Sequence, residues 1–236
     1  NAPEVTELAN RVLKLKNYRF GSIDKESHYL VDSASCIQGE VRSVEINAKS
    51  LKEINSKTSR SVNYAIIVLH ESDKQEARKY FESPLIFTVQ EAKGLEYENI
   101  ILFNMICSDD RYNEIAKGVD LSYLDADFNY ARSKDKADKS LEIYKFYVNA
   151  LYVAITRSVK NVYIIEENPR HRFLELLQVN EIKDVLLSDA RSSVEEWQKE
   201  ASKLSQQGKE DQANEIEEKI LKRKPVPWGV LDQKGF

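Results

Sequence analysis

The sequence predicts an α/β fold built on a parallel β-sheet. Four short apolar runs predict strands, at 64–71, 85–89, 99–106 and 161–166. They are almost continuously apolar instead of alternating with polar residues, which is typical of parallel strands covered on both faces. Stretches with helical spacing separate them, at 73–83 and 140–158. Strands that alternate with helices favour an α/β layer with right-handed crossovers.

The remaining elements of the first part are less regular. Apolar residues at helical spacing, with Pro3 in the first turn, predict a helix over 3–16. The mixed, glycine-marked segment at 21–47 predicts short strands. The segment 108–140 is rich in charge and tyrosine and has no sustained period, so we interpret it as a charged, partly mobile insertion.

Residues 169–236 predict a helical C-terminal extension. Within it, 191–223 predicts two amphipathic helices broken at Gly208, which is a helical hairpin. The hairpin has two interpretations, an ordinary amphipathic pair or a unit like a tetratricopeptide repeat (TPR). One hairpin buries its own apolar face poorly, so we expect it to dock on the preceding domain or to continue into further repeats.

Composition limits the classes of function. The 236 residues carry a formal net charge of -4, so there is no overall basic excess and any nucleic-acid contact must be local. The two cysteines, Cys36 and Cys107, form no disulfide framework or metal-binding spacing, and we expect both to be buried in a reducing compartment. No apolar run approaches 18 residues and no signal-peptide pattern is present, so we expect a cytoplasmic protein without membrane partners.

The common catalytic motifs are missing from the sequence. It contains no GxxxxGK[ST] phosphate loop, and no GxGxxG, HExxH or GxSxG motif. The three histidines, His28, His70 and His171, lie far apart, which gives little support for a metal site or a histidine-based triad. We therefore expect no bound metal and no catalysis by this chain on its own.

One polar, glycine-containing loop lies between two predicted strands, in “TVQEAKGLEYENIIL” at 88–102. Ligands of open parallel sheets bind at the carboxyl ends of strands, where we expect this loop to lie. Gly94 allows close backbone approach, Lys93 is a cation for phosphate, and Glu96 is an acceptor for a ribose hydroxyl. The alternative is a plain turn with a solvated lysine and glutamate.

Arg157 lies in the last turn of the predicted helix at 140–158 and off its apolar stripe. A cation there complements the helix dipole and can bind the free carbonyls of the last turn, so helix capping explains it adequately. The tyrosines of the same helix are interpreted as core aromatics and not as base-stacking platforms.

Taken together, the two stretches resemble motifs of the UvrD/Rep-like superfamily 1 DNA helicases. The stretch at 88–102 resembles motif V, and “NALYVAITRSVKNVYIIE” at 149–166 resembles motif VI. The resemblance covers residues 3–168, with its specific matches at 93–96 and 152–157. The first helix is similar to the one that follows the family's Asn-Tyr-Arg segment, so we expect a piece of a longer protein.

The resemblance implies a fold and a set of roles. Residues 1–168 would form the C-terminal RecA-like domain, a P-loop NTPase-type parallel sheet flanked by helices. Arg157 would be the arginine finger that reaches the γ-phosphate of ATP. The other roles implied are nucleotide binding by Lys93, Gly94 and Glu96, nucleic-acid binding by Thr88 and Gln90, and support of the arginine by Tyr152 and Thr156.

The resemblance also implies partners and cofactors. ATP and Mg²⁺ would be bound by the full-length protein through its N-terminal RecA-like domain, and this chain alone would hold neither. The nucleic acid that the protein binds would be single-stranded DNA, with RNA left open. Without the Walker motifs, we expect the isolated chain to be inactive.

Three departures from the family pattern favour a divergent member. Gln90 stands where the family often has histidine, and 146–149 lacks the usual acidic and arginine-rich run. Residues 71–85 leave no room for the family's large accessory insertion. A competing hypothesis is therefore a degenerate helicase scaffold that binds a protein partner through the C-terminal helices and the charged insertion.

Overall fold

A computed structural model describes residues 1–21, 30–125, 140–183, 187–188 and 191–222 of the chain. Its centre is a six-stranded parallel sheet in the order β3-β2-β4-β5-β1-β6. The strands are β1 (Glu40–Glu45), β2 (Tyr64–Val68), β3 (Ile86–Thr88), β4 (Tyr97–Phe103), β5 (Ser158–Glu166) and β6 (Asn180–Glu181). The α/β class and the four strands predicted from apolar runs are confirmed.

Helices cover both faces of the sheet. They are α1 (Pro3–Phe20), α2 (Ala48–Thr58), α3 (Glu71–Ala77), α4 (Arg111–Ala116), α5 (Ser140–Ile155), α6 (Arg172–Leu176), α7 (Val194–Gln206) and α8 (Glu210–Glu215). A 3₁₀ turn, Leu121–Leu124, follows α4, and a π-helical turn, Ile216–Ile220, follows α8.

Successive residues of the central strands point into different cores, as the pleat of a strand requires. Ile100 and Leu102 of β4 join the larger core with α1, α5 and α7, whereas Ile101 and Phe103 join a smaller core with α2 and α3. Two buried faces explain why these strands are apolar at almost every position, since an exposed face would have selected alternating polar residues.

Part of the charged segment is regular and buried. Residues 126–139 lie outside the described part of the chain, but 111–124 contains α4 and the 3₁₀ turn. Tyr112 and Tyr123 are both almost fully buried, and their hydroxyls donate to Tyr147 O (3.0 Å) and Leu176 O (2.8 Å). Two tyrosines thus anchor 111–124 in the core, and the interpretation of 108–140 as a charged insertion stays a prediction.

The C-terminal extension differs from its prediction at one place. A two-residue strand, β6, interrupts the expected helices and pairs with Arg42 and Ser43 of β1.

Cys36 is exposed and Cys107 is half-buried, so the prediction that both are buried is wrong. Across the described residues, no helix is both long enough and apolar enough to cross a membrane.

Helices α7 and α8 share the larger core with α1 and α5. Trp197, Ala201 and Leu204 of α7 and Ala213 of α8 are buried in that cluster, and Gly208 between the helices has a φ of +71°. The left-handed conformation is one that glycine adopts without steric cost, which explains why the chain reverses there. The apolar face of α7 is thus already covered by this chain, as the docking expectation requires.

Candidate functional site

Arg157 lies between the end of α5 and the start of β5, on the side of the sheet where the parallel strands begin. We call this side the amino edge, and the side where the strands end the carboxyl edge. The Tyr97 N–H donates to Arg157 O (3.0 Å), and Tyr97 is paired with Ser158 at the beginning of β4 and β5. The two motifs of the resemblance therefore meet where these neighbouring strands begin.

The guanidinium of Arg157 is half-buried and held by three hydrogen bonds. Nε donates to Val153 O (3.1 Å), Nη1 donates to Leu95 O (3.2 Å) and Nη2 donates to Thr156 Oγ1 (3.3 Å). The first of these bonds satisfies a carbonyl in the last turn of α5, so the capping interpretation is confirmed. The second ties the helix end to the loop that precedes β4.

The loop at 89–96, which we call the connecting loop, runs from one edge of the sheet to the other. Strands β3 and β4 are both parallel to β2, so the end of β3 at Thr88 and the start of β4 at Tyr97 lie at opposite edges. The expectation that the whole loop lies at the carboxyl edge is therefore wrong. Thr88 and Gln90 lie near the carboxyl edge, whereas Leu95, Glu96 and Arg157 lie near the amino edge.

The connecting loop is compact because its backbone closes successive turns. Ala92 N–H donates to Thr88 O (2.9 Å) and Leu95 N–H donates to Ala92 O (3.0 Å), and both of these apolar side chains are buried. Gly94 has a φ of +82°, a conformation that strains any residue with a Cβ atom. Lys93 and Glu96 are exposed, so both are accessible to a ligand at this surface.

At the carboxyl edge of the sheet, the start of the connecting loop is held by a hydrogen-bonded turn and an ion pair. Thr88 N–H donates to Glu91 Oε2 (2.7 Å), and Glu91 N–H donates to Thr88 Oγ1 (3.2 Å). Lys74, almost fully buried, donates to Glu91 Oε1 (2.9 Å). Burial alone would raise the pKa of Glu91, but the hydrogen bond from Thr88 and the ammonium of Lys74 lower it below its usual value. Thr88 is thus part of a buried turn, while Gln90 is exposed.

The two predicted supporting residues differ in their contact with Arg157. Thr156 Oγ1 accepts from Arg157 Nη2 and donates to Val153 O (3.0 Å), so the threonine and arginine share one carbonyl. Tyr152 packs half-buried against the larger core and makes none of the polar contacts of Arg157. The structure therefore brings Thr156 but not the Tyr152 side chain to the guanidinium.

Four further residues hold the connecting loop or the residues that flank it, and the sequence did not single them out. Lys74 and Glu91 form the ion pair at the carboxyl edge of the sheet. Glu91 lies inside the stretch that resembles motif V, where it could have been noticed. Glu200 accepts from the Tyr97 hydroxyl (2.6 Å), and Gln212 Nε2 donates to Ile86 O (3.2 Å). The last two come from more than 100 positions away, and no local spacing reveals such contacts.

The donor set at the amino edge fits a phosphate. A guanidinium has five N–H groups, and the described residues engage three of those of Arg157, which leaves two that could bind an anion. The exposed carboxylate of Glu96 is an acceptor that suits a ribose hydroxyl. Among the described residues, no group of three or more histidine, cysteine, aspartate or glutamate side chains is placed to hold a metal ion.

The chain is thus an α/β protein with a six-stranded parallel sheet and an arginine-centred cluster at the amino ends of β4 and β5. No family model matches it, and no solved structure matches it. It is similar to the human protein named TPR and ankyrin repeat-containing protein 1, with 26% identity over 147 residues, or 50% of this chain. The chain spans 5% of that protein's length.

Proposed function

We propose that the chain is the C-terminal RecA-like domain of an ATP-dependent superfamily 1 helicase or translocase. The proposal rests mainly on the hydrogen bond from Arg157 Nη1 to Leu95 O, which joins the motif VI-like helix to the motif V-like loop at one edge of the sheet. The six-stranded parallel sheet flanked by helices is compatible with a RecA-like fold. Two motifs far apart in sequence thereby form a single cluster of the kind that the resemblance requires.

In this proposal Arg157 contributes to a nucleotide site that is completed by another RecA-like domain. That domain supplies the phosphate loop and the acidic residue for Mg²⁺, and bound ATP supplies the phosphoryl group transferred to water. The two N–H groups of Arg157 that no described residue engages bind the γ-phosphate and stabilise its charge in the transition state. Glu96 accepts from the ribose, and Lys93 and Gly94 form the adjacent edge of the cleft.

The same loop connects the nucleotide to the nucleic acid. Its amino-edge end carries Glu96 and contacts Arg157, and its carboxyl-edge end carries Gln90, the exposed candidate for a contact with single-stranded DNA. The loop is compact and hydrogen-bonded at both ends, so displacement of one end displaces the other. Such a loop can couple closure of the cleft over ATP to movement along a strand.

Replacement of the arginine tests the proposal. In the protein that joins this chain to its nucleotide-binding domain, we expect Arg157→Ala to reduce DNA-stimulated ATP turnover by about 10³-fold. ATP affinity, measured by titration calorimetry, should change little, because the phosphate loop holds the ground state. Arg157→Lys, which keeps the charge but loses the fork geometry, should restore only part of the turnover.

Two measurements control this experiment. The chain alone should show no ATP turnover, and the variants should unfold at temperatures close to that of the unmodified protein, since capping bonds contribute only about 1 kcal/mol. Unchanged ATP turnover in Arg157→Ala would mean that Arg157 serves only to cap the helix, and it would contradict the proposal.

A second candidate function is a protein-interaction module on a helicase-like scaffold. The observation that favours it is the similarity to a human protein whose name includes two kinds of repeat, together with two packed helices at the end of this chain. A parent protein without an intact phosphate loop, and Arg157→Ala without effect, would favour this candidate. The buried apolar face of α7 leaves its polar face for a partner.

A further inference from the structure

The C-terminal helices contact the residues on both sides of the connecting loop. At the amino edge, the Tyr97 hydroxyl donates to Glu200 Oε1 of α7 (2.6 Å). At the carboxyl edge, Gln212 Nε2 of α8 donates to Ile86 O (3.2 Å) and lies 3.4 Å from Glu91 Oε1. The helices thus hold the backbone just before the loop and the first residue after it.

The contact between Tyr97 and Glu200 is a strong and directional one. Both residues are buried, with exposures of 4% and 9%, and a short hydrogen bond to a carboxylate is stronger than one between neutral groups. Burial, followed by the negative charge of Glu200, raises the pKa of the Tyr97 hydroxyl well above its usual value, so it remains a donor. Lys203 lies 3.3 Å from the other oxygen of Glu200 and balances its charge.

Tyr97 is also close in sequence to the two groups that join Arg157 to this part of the chain. Its backbone N–H donates to Arg157 O (3.0 Å), and Leu95, two positions earlier, accepts from Arg157 Nη1. A displacement of Tyr97 therefore moves the backbone of the arginine and the carbonyl that holds its guanidinium. Glu200 itself is fixed, because Trp197 and Ala201 on the same helix are buried in the larger core.

We propose that α7 positions the arginine cluster through the hydrogen bond between Tyr97 and Glu200, which makes these two residues positioning residues for ATP turnover. This inference rests on the proposed function. It assigns the C-terminal helices a part in the motor, because a hydrogen bond from outside both motifs fixes where the guanidinium lies. A misplacement of about 1 Å is enough to lower turnover by about 10²-fold.

The test uses variants that change this hydrogen bond from each side. In the protein that joins this chain to its nucleotide-binding domain, we expect Tyr97→Phe and Glu200→Leu each to lower kcat by about 10-fold or more. The KM for ATP should change less than about 3-fold, because the ground state is held by the other domain. Glu200→Gln, whose amide oxygen still accepts from the Tyr97 hydroxyl, should retain most of the turnover. Ser202→Ala, at an exposed position of α7, is the matched control.

A second readout does not depend on catalysis. In this chain alone, the hydrogen-bonded amides of Leu95, Tyr97 and Arg157 should exchange at least about 10-fold faster in Tyr97→Phe than in Ser202→Ala. Equal exchange in the two variants, or a fall in kcat that follows only the fraction of unfolded protein, would overturn the positioning role. Normal turnover in Tyr97→Phe beside a large loss in Arg157→Ala would overturn this inference and keep the proposed function. No loss in Arg157→Ala, with faster exchange in Tyr97→Phe, would overturn the proposed function instead.

Discussion

Arg157 shows how one residue can have a structural and a proposed catalytic role without conflict. Helix capping requires one or two N–H groups directed at carbonyls, and an arginine finger requires two directed at a phosphate. A guanidinium has five N–H groups, and the three that are engaged within the chain fix the plane of the group. These three hydrogen bonds thus reduce the entropy that the side chain would lose on binding a phosphate.

Two glycines give a prediction at the scale of single residues. Gly94 has a φ of +82° and no atom within 4 Å of an added Cβ, whereas an added Cβ at Gly39 would lie 2.0 Å from Lys160 O. We expect Gly94→Ala to lower the free energy of unfolding by about 1 kcal/mol, through backbone strain alone. Gly39→Ala should cost about 2–3 kcal/mol, because a backbone carbonyl must move.

Urea denaturation of the two alanine variants measures both costs. A Gly39→Ala variant that is as stable as Gly94→Ala would contradict the close approach of 39 to β5.

Helix α7 packs one side into the larger core and leaves the other side exposed. Trp197 is 2% exposed in the core shared with α1 and α5, while Val194 on the same helix is 58% exposed. We expect Trp197→Ala to lower the free energy of unfolding by about 3–5 kcal/mol and Val194→Ala to change it by less than about 0.5 kcal/mol. Denaturation followed by circular dichroism should show one transition for the whole chain in both variants. A separate early transition for the C-terminal helices would mean that α7 folds independently of the sheet.

Elements were predictable from sequence where one physical signal repeats along the chain. Strand β2 is buried at every position, so its apolar run is unambiguous. The apolar stripe of α5 is buried at Tyr147, Val148, Leu151 and Ile155. Helix α4 and strand β6 have six and two residues, too few for a period to be recognised. They are stabilised by tertiary contacts, such as the hydrogen bond that the buried hydroxyl of Tyr112 donates to Tyr147 O.

The candidate site was predictable only in part, for a related reason. The sequence singled out Arg157, Glu96 and Gly94, since each has a recognisable chemistry in its local stretch. It placed the whole loop that carries Gly94 and Glu96 at the carboxyl edge of the sheet, because the direction of a loop that crosses the sheet depends on strand pairing. Glu200 has no local feature that distinguishes it from other helical glutamates, and only the fold brings it to Tyr97.

At the scale of the whole molecule, the carboxyl edge of the sheet contains a buried carboxylate that couples stability to pH. Glu166 ends β5, has no exposed surface, and accepts from the backbone N–H groups of Ile106 (2.9 Å) and Cys107 (2.8 Å). Burial raises its pKa from 4.5 to about 7, and the two hydrogen bonds oppose that rise only partly. Burial likewise raises the pKa of the neighbouring Cys107 thiol to about 12, so this cysteine is a poor nucleophile.

The raised pKa of Glu166 predicts that its contribution to stability is full below pH 4.5 and is lost as the pH rises to about 7, because the folded state binds the proton more tightly. Urea denaturation between pH 5 and pH 8 should show a loss of about 2 kcal/mol in the unmodified chain relative to Glu166→Gln, which cannot titrate. Burial lowers the pKa of His171, which acts in the opposite direction and is common to both proteins, so their difference isolates Glu166. A difference that stays constant across this range would mean that Glu166 is ionised throughout, stabilised by the two N–H groups at the turn after β4.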